Sequence, residues 1–144
     1  MTNTRAIVDG AGHPAATINE ALGHLLAGWV GPGKFDTRLD FAVRDWARRS
    51  GPVRRALDLG DAARIEAIFE MFLRHGYARS EADVRARIVY FTQIGYDALD
   101  QRESWERRIE RVRDYLFCHT GVAPSEAEVG GLVQRLRADL AVEG

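Results

Sequence analysis

The chain is 144 residues long, and its 46% hydrophobic and 28% charged residues are typical of a folded globular domain. Twenty basic residues against 21 acidic ones give a net charge of −1, so the chain lacks the basic excess that grips a phosphate backbone. A single cysteine excludes an internal disulfide, and the sequence contains neither a signal peptide nor an apolar run of ~20 residues. We therefore expect a cytoplasmic protein without a membrane partner.

The N-terminal residues 1–16 contain two glycines and a proline but few bulky apolar side chains, which predicts a flexible arm. One folded domain is predicted to follow over 17–141. Its first helix begins at Thr17, with Glu20 three residues later at the spacing of a reciprocal capping box. The sequence Gly31-Pro32-Gly33 predicts the end of this helix.

A second helix is predicted over 36–49, with Asp36 as a suitable N-cap. Its end is predicted at Ser50-Gly51-Pro52, because proline disfavours helical geometry in the residue before it. Apolar residues recur at the spacing of one helix face, which we expect to be buried. The residues of this predicted stripe are Leu39, Ala42, Val43, Trp46 and Ala47.

Five further helices are predicted from the same signals, over 52–57, 61–75, 80–99 and 104–120 and from Ser125 onwards. The predicted buried stripe of the 80–99 helix consists of Val84, Ile88, Phe91, Gly95 and Ala98. No segment of useful length alternates with the period of two that is typical of a strand. The sequence therefore predicts an all-α, single-domain antiparallel bundle of about seven helices.

The residue types that usually perform catalysis or bind metals form no motif. None of the four histidines lies four residues from another on a helix, and the chain has no Cys-x-x-Cys pair. Cys118 and His119 are adjacent, but neighbouring side chains on a helix point in different directions. This favours a buried thiol beside a helix-terminal histidine over a nucleophilic pair. We expect no catalytic site, no metal site and no cofactor.

Three stretches of the chain occur in the order found in a known family. A tryptophan-bearing helix and a Gly-Pro break are contained in Trp46-Ala-Arg-Arg-Ser-Gly-Pro-Val-Arg-Arg-Ala-Leu57. Arg64-Ile65 lies in a long amphipathic helix, and Ala82-Asp-Val-Arg-Ala-Arg-Ile-Val-Tyr90 opens the next helix. In this order the chain resembles the C-terminal, effector-binding half of the tetracycline-repressor (TetR) family of bacterial transcription regulators. Its stretch Asp114-Tyr-Leu-Phe-Cys-His-Thr-Gly121 resembles the tail of one TetR subgroup.

The resemblance implies an all-helical domain that binds a small apolar or aromatic effector and forms a homodimer. In that family, effector binding changes the spacing of two N-terminal helix-turn-helix modules, and the regulator releases DNA. This sequence has no such motif, since only 16 unpatterned residues precede Ile18. The implied function is ligand sensing and homodimerisation in a TetR-like regulator, with no direct DNA binding by this chain alone.

The effector pocket is expected between the predicted helices over 36–49, 61–75 and 80–99. Such pockets are lined by apolar and aromatic groups with few polar ones, although an aromatic at helical spacing is more often core filler than a ligand contact. Thr92 is the polar candidate, unless its hydroxyl bonds back to its own helix. The apolar candidates are Trp46, Ile65, Phe69, Phe72 and Phe91.

The dimer surface is expected on the outer flanks of the helices over 80–99 and 104–120. Val89 and Tyr96 lie off the predicted buried stripe of the first helix, and Tyr115 lies off that of the second. Three such side chains on neighbouring helices can form one patch suited to isologous pairing.

Two other functions stay open at the level of sequence. A ligand-free helical interaction module would pair with an intact regulator or with another protein. An enzyme with a helical pocket has the least support, because the chain has no catalytic motif.

Overall fold

Eight α-helices account for most of the residues described by the computed structural model, which are 2–30, 35–99 and 103–143. The helices are α1 (Thr2–Gly12), α2 (Ile18–Val30), α3 (Thr37–Ala47), α4 (Gly51–Arg74), α5 (Arg79–Ala98), α6 (Trp105–Glu110), α7 (Val112–Thr120) and α8 (Glu126–Glu143). These three segments contain no β-strand. The predicted all-α bundle of about seven helices is therefore confirmed.

The N-terminal segment is a packed helix, so the prediction of a flexible arm over 1–16 is wrong for α1. Ile7 and Ala11 are four residues apart and fully buried, and α1 packs against α2 and α4. The Asn3 amide donates to the Asp36 carbonyl and accepts from the Asp36 N–H, both at 2.8 Å. Few apolar residues suffice here because the helix also has these polar contacts.

Several predicted helix boundaries correspond to capping contacts. The Thr17 hydroxyl accepts from the Glu20 N–H at 3.1 Å, and the Asp36 carboxylate accepts from the Leu39 N–H at 3.0 Å. Gly121 ends α7 with φ of +74°, a conformation that glycine adopts without steric cost.

The two helices predicted over 52–57 and 61–75 are one continuous helix, α4. Ser50 caps it and Pro52 lies in its first turn. We predicted a break at Gly60-Asp61, where an aspartate often competes for backbone N–H groups. The Asp61 carboxylate instead bonds to Arg44 and Tyr90, which leaves the helical ladder intact. The helix predicted over 104–120 is interrupted at Arg111, between α6 and α7.

The central helix of the bundle is α2. Nine of its 13 residues are buried, and α1, α4, α7 and α8 pack around it. Its apolar residues cover more than one face, because neighbours on several sides each need a buried contact.

The buried face of α5 is not the predicted one. Val84, Ile88 and Phe91 are 55%, 45% and 56% exposed. The buried residues are Ala82, Ala86, Val89, Tyr90 and Gln93. Small alanines let α5 approach its neighbours closely, and polar partners inside the bundle accommodate Tyr90 and Gln93.

The predicted stripe of α3 is only partly correct. Ala47 is buried as predicted, but Leu39 and Trp46 are exposed, and Asp40, which was not in the stripe, is buried. The two bulkiest apolar residues of the stripe lie on the outer face, because the inner face carries an alanine and a paired aspartate.

Among the described helices, none is both long enough and apolar enough to cross a membrane.

Candidate functional site

A cavity of about 90 Å³ lies where α2, α5, α6, α7 and α8 meet. Six aliphatic residues form most of its wall: Leu26, Val30, Ile109, Val112, Leu132 and Leu136. The remaining lining residues are aromatic or polar: Gln93, Tyr96, Trp105, Arg108, Arg111 and Tyr115. An apolar wall with few polar groups is the usual composition of a small-molecule site.

One side of the cavity holds an arginine between two aromatic rings. The Arg108 guanidinium carbon lies 4.4 Å from the Tyr96 ring centroid and 4.6 Å from the Trp105 ring centroid. Such cation–π contacts contribute about 0.5–2 kcal/mol each. Among the described residues, these two rings are the partners found for Arg108, and no ion pair accompanies them.

The other polar groups on this side are paired with one another. The Tyr96 hydroxyl donates to Glu103, and Glu103 accepts from Arg111 at 2.6 and 2.9 Å. These bonds hold α5 against the start of α6 and α7. The Tyr96 hydroxyl hydrogen and one guanidinium nitrogen of Arg111 are thus already engaged.

Tyr115 differs from Tyr96, since its hydroxyl is buried and has no hydrogen-bond partner among the described residues. Burial raises the pKa of Tyr115, so the phenol is neutral. Its ring stacks on His119 with centroids 3.8 Å apart, and His119 Nδ1 lies 2.7 Å from the Tyr115 carbonyl oxygen. Leaving a buried hydroxyl unbonded costs about 1–3 kcal/mol. This group therefore lacks a hydrogen-bond partner among the described residues, and a ligand can reach it only if the side chains that cover it move.

A buried carboxylate lies close to this cluster. Asp97 Oδ1 accepts a long bond of 3.4 Å from Gln93, and its Oδ2 is buried with no partner in the described chain. Desolvation raises the pKa of Asp97 to about 6, against the attraction of Arg108. Arg108 and Asp97 thus place opposite charges near the same cavity.

A second cluster, the Asp40–Arg64 network, links α1, α3, α4 and α5. Arg44 donates to both Asp61 oxygens at 3.0 and 2.7 Å and to Asp40 at 2.9 Å. Arg64 donates to Asp40 at 2.9 Å, to Tyr90 at 3.0 Å and to the Thr4 hydroxyl at 3.0 Å. Arg64 is 1% exposed and Asp40 is 4% exposed.

The charged groups of this network neutralise one another. Burial raises the pKa of Tyr90 to about 12, assisted by its bond to Asp61. Burial opposes ionisation of Asp61, but the bonds from Arg44 and Tyr90 outweigh it and lower the pKa of that carboxyl. Two arginines balance two aspartates, and none of these residues lines the cavity. We assign the network to the alignment of the four helices.

Sequence reasoning missed this network, although a signal was present. Asp40 and Arg44 are four residues apart on α3, and Asp61 and Arg64 are three apart on α4. Neither pair was singled out from the sequence, because exposed helix faces carry many such pairs. What distinguishes the buried pair on α3 from an exposed one is that Leu39 and Trp46, the exposed apolar residues of this helix, lie on the other side of it.

The predicted ligand residues do not line the cavity. Phe69 and Phe72 are buried in the core, where Phe72 meets the Tyr77 ring edge-on at 5.1 Å. Ile65 packs against the same core. Trp46, Phe91 and Thr92 are exposed. This cavity is therefore not the pocket expected from the sequence, and the faces of α3 and α5 that carry Trp46 and Phe91 point outwards.

Of the predicted dimer residues, one is buried in the core and two are partly buried. Val89 is fully buried in the core, and Tyr96 and Tyr115 line the cavity. Val89 cannot contact a partner from that position. The apolar residues that α5 presents outwards are Val84, Ile88 and Phe91.

No cluster of metal-binding side chains occurs within residues 2–30, 35–99 and 103–143, and Cys118 is exposed instead of buried as predicted. Comparisons with family models, with curated proteins and with solved structures give no match to this chain. The resemblance to the TetR family rests on the sequence stretches quoted above.

Proposed function

We propose that this chain is the ligand-sensing and homodimerisation domain of a TetR-like bacterial transcription regulator, with no DNA-binding module among its own 144 residues. The observation that carries the proposal is the apolar cavity between α2 and α5–α8, whose wall includes Tyr115, a residue with a hydroxyl that has no partner among the described residues. The sequence resemblance supports the same function.

The position of the cavity suits a sensor. Five helices contribute to its wall, so a ligand that fills it contacts all five at once. A ligand shifts a conformational equilibrium by its differential affinity for the two states. Occupation therefore favours those helix arrangements in which the cavity fits the ligand.

The outer face of α5 is the proposed subunit interface. Val84, Ile88 and Phe91 recur at i, i+4 and i+7, which places them on one side of the helix. Isologous pairing would cover this row with the same row from a second copy. Phe117 on α7 adds another exposed aromatic from the neighbouring helix.

A thermal-shift screen of small apolar and aromatic compounds tests the sensing function. A ligand that binds only the folded state stabilises it by about 2.7 kcal/mol at a hundredfold excess over Kd. Ile109→Trp fills the cavity from its partly exposed wall and should abolish the response to the compounds found. Leu59→Trp, on the exposed surface of α4, is the matched control and should leave the response unchanged.

A ligand-free interaction module is the second candidate. The cavity of about 90 Å³ is smaller than the ~300–1,000 Å³ of most ligand pockets, and this favours a protein partner. Absence of any thermal-shift response, with retained dimerisation, would establish that reading instead. A response that Ile109→Trp leaves unchanged would place ligand binding outside this cavity.

A further inference from the structure

We propose that the cavity recognises a neutral, single-ring aromatic molecule with one hydroxyl or carbonyl group, and that the Tyr115 hydroxyl is the hydrogen-bonding partner of that group. The inference rests on the proposed sensing function and specifies its ligand class. Three properties of the cavity support it: its size, its wall and its charge.

The size limits the ligand to about one ring. A dry apolar cavity of roughly 150 Å³ holds benzene. The cavity here measures about 90 Å³, but the long side chains of Arg108 and Arg111 form part of its wall. A ring therefore requires these side chains to rotate outwards when the ligand binds. A fused polycyclic molecule would need the helices themselves to separate.

The wall favours an aromatic ring over a polar molecule. Six aliphatic side chains surround the space, and the Tyr96, Trp105 and Tyr115 rings complete it. Aromatic pairs gain about 0.5–1.5 kcal/mol beyond their buried area when they meet offset or edge to face. A sugar or another polyhydroxyl compound would leave most of its hydroxyl groups without partners.

The polar groups select one neutral oxygen. The Tyr115 hydroxyl can both donate and accept, so it pairs equally well with a ligand hydroxyl or carbonyl. The Tyr96 hydroxyl already donates its hydrogen to Glu103, so it cannot donate to a ligand carbonyl. Arg111, the other arginine of the wall, is paired with Glu103, and the charge of Arg108 is opposed by that of Asp97, which lies nearby but does not line the cavity. Their opposite charges favour an uncharged ligand over either ion.

Phenol and toluene form the test pair, with the affinity of each measured by calorimetry or NMR titration on the full chain. They have the same shape apart from the hydroxyl, and we expect phenol to bind more tightly. Tyr115→Phe keeps the volume of the side chain and removes its hydroxyl. It should weaken phenol binding about tenfold, the upper range for one hydrogen bond, and leave toluene binding unchanged.

Tyr77→Phe is the matched control, because it removes a tyrosine hydroxyl that lies outside the cavity wall. The ratio of phenol to toluene affinity should not change in this variant. Benzoate and benzylamine supply the anionic and cationic arms, and both should bind more weakly than phenol. The melting temperature of Tyr115→Phe should equal or exceed that of the wild type, since the substitution removes an unbonded buried hydroxyl.

Each contrary result has a distinct meaning. If Tyr115→Phe weakens phenol and toluene equally, or if benzoate binds best, the assigned role of Tyr115 is overturned. Toluene binding that Ile109→Trp abolishes would still support ligand sensing in this cavity. If no probe of either kind binds, both the ligand class and the sensing function of the cavity are overturned.

Discussion

At the scale of single residues, the least expected feature is a fully buried arginine. Arg64 forms bonds with Asp40, Tyr90 and Thr4, so its guanidinium has partners on three other helices. A buried charge is tolerated only when its partners replace the water it has lost. The residue therefore contributes to the specificity of helix alignment more than to net stability.

Arg64→Met should destabilise the protein by roughly 3–5 kcal/mol, because Asp40 stays buried with one arginine fewer. Urea denaturation followed by circular dichroism measures the loss. Arg49→Met is the control, since the exposed Arg49–Asp45 pair contributes at most about 1 kcal/mol. If Arg64→Met lowers the free energy of unfolding no more than Arg49→Met does, the Asp40–Arg64 network does not depend on Arg64 in the way described.

Asp97 gives a prediction about pH. Its folded-state pKa of about 6 lies above the unfolded value of ~3.9, so the folded state binds the proton more tightly. The carboxylate therefore destabilises the fold above pH 6, and this penalty disappears as the pH falls below about 4. Asp97→Asn should melt at a higher temperature than the wild type at pH 7.5. The difference should shrink towards zero at pH 4.

Melting curves of both proteins at several pH values between 4 and 8 measure this difference. Comparison with the wild type cancels the effect of other carboxyls, such as Asp61, whose lowered pKa acts in the opposite direction. A difference that does not change with pH would show that Asp97 is solvated in the folded protein.

At the scale of helices, the sequence predicted where helices occur, and where several of them begin or end, better than it predicted which face of each helix is buried. Thr17, Asp36 and Ser50 each act as a predicted helix start or stop, because capping depends on residues only three positions apart. Orientation depends on partners distant in the chain. The burial of Asp40 and Tyr90 follows from Arg64 and Asp61, which belong to another helix, and no local pattern contains that pairing.

The candidate site was missed for the same reason. Tyr96 and Tyr115 were identified from the sequence, but as outer residues of a dimer surface. They line a cavity because α6, α7 and α8 fold over the C-terminal half of α5. Spacing along a single helix cannot reveal which neighbour covers it.

Two glycines within α8 provide a prediction at this scale. An added Cβ at Gly130 or Gly131 would meet no atom of the described residues within 4 Å. Alanine at either position should stabilise the protein by about 0.5–1 kcal/mol, because glycine loses more backbone entropy in a helix. Denaturant midpoints measure the gain.

Gly121→Ala should have the opposite effect. Its φ is +74°, and an added Cβ would lie 2.6 Å from the Arg85 guanidinium. A stabilised Gly121→Ala variant would contradict the left-handed end of α7.

At the scale of the whole molecule, the exposed apolar row on α5 predicts a homodimer. Stable interfaces bury about 1,200–2,000 Å² in total, and a charge placed at their centre is costly to desolvate. Phe91→Asp should therefore give monomers in light scattering with an unchanged helical circular dichroism spectrum. Leu59→Asp, on the exposed side of α4, should remain dimeric. A monomeric wild type at tens of micromolar, or a dimeric Phe91→Asp variant, would reject this interface.

One helix, α5, contributes residues to the buried network, to the cavity and to the exposed apolar row. Tyr90 belongs to the buried network, Tyr96 lines the cavity, and Phe91 lies on the outer row. Helices in a packed core move as units, so a ligand that displaces Tyr96 also displaces the neighbouring turn. Thermodynamic linkage then makes the effect reciprocal: the factor by which a ligand changes dimer affinity equals the factor by which dimerisation changes ligand affinity. The dose at which such a sensor responds would therefore vary with the abundance of the protein itself.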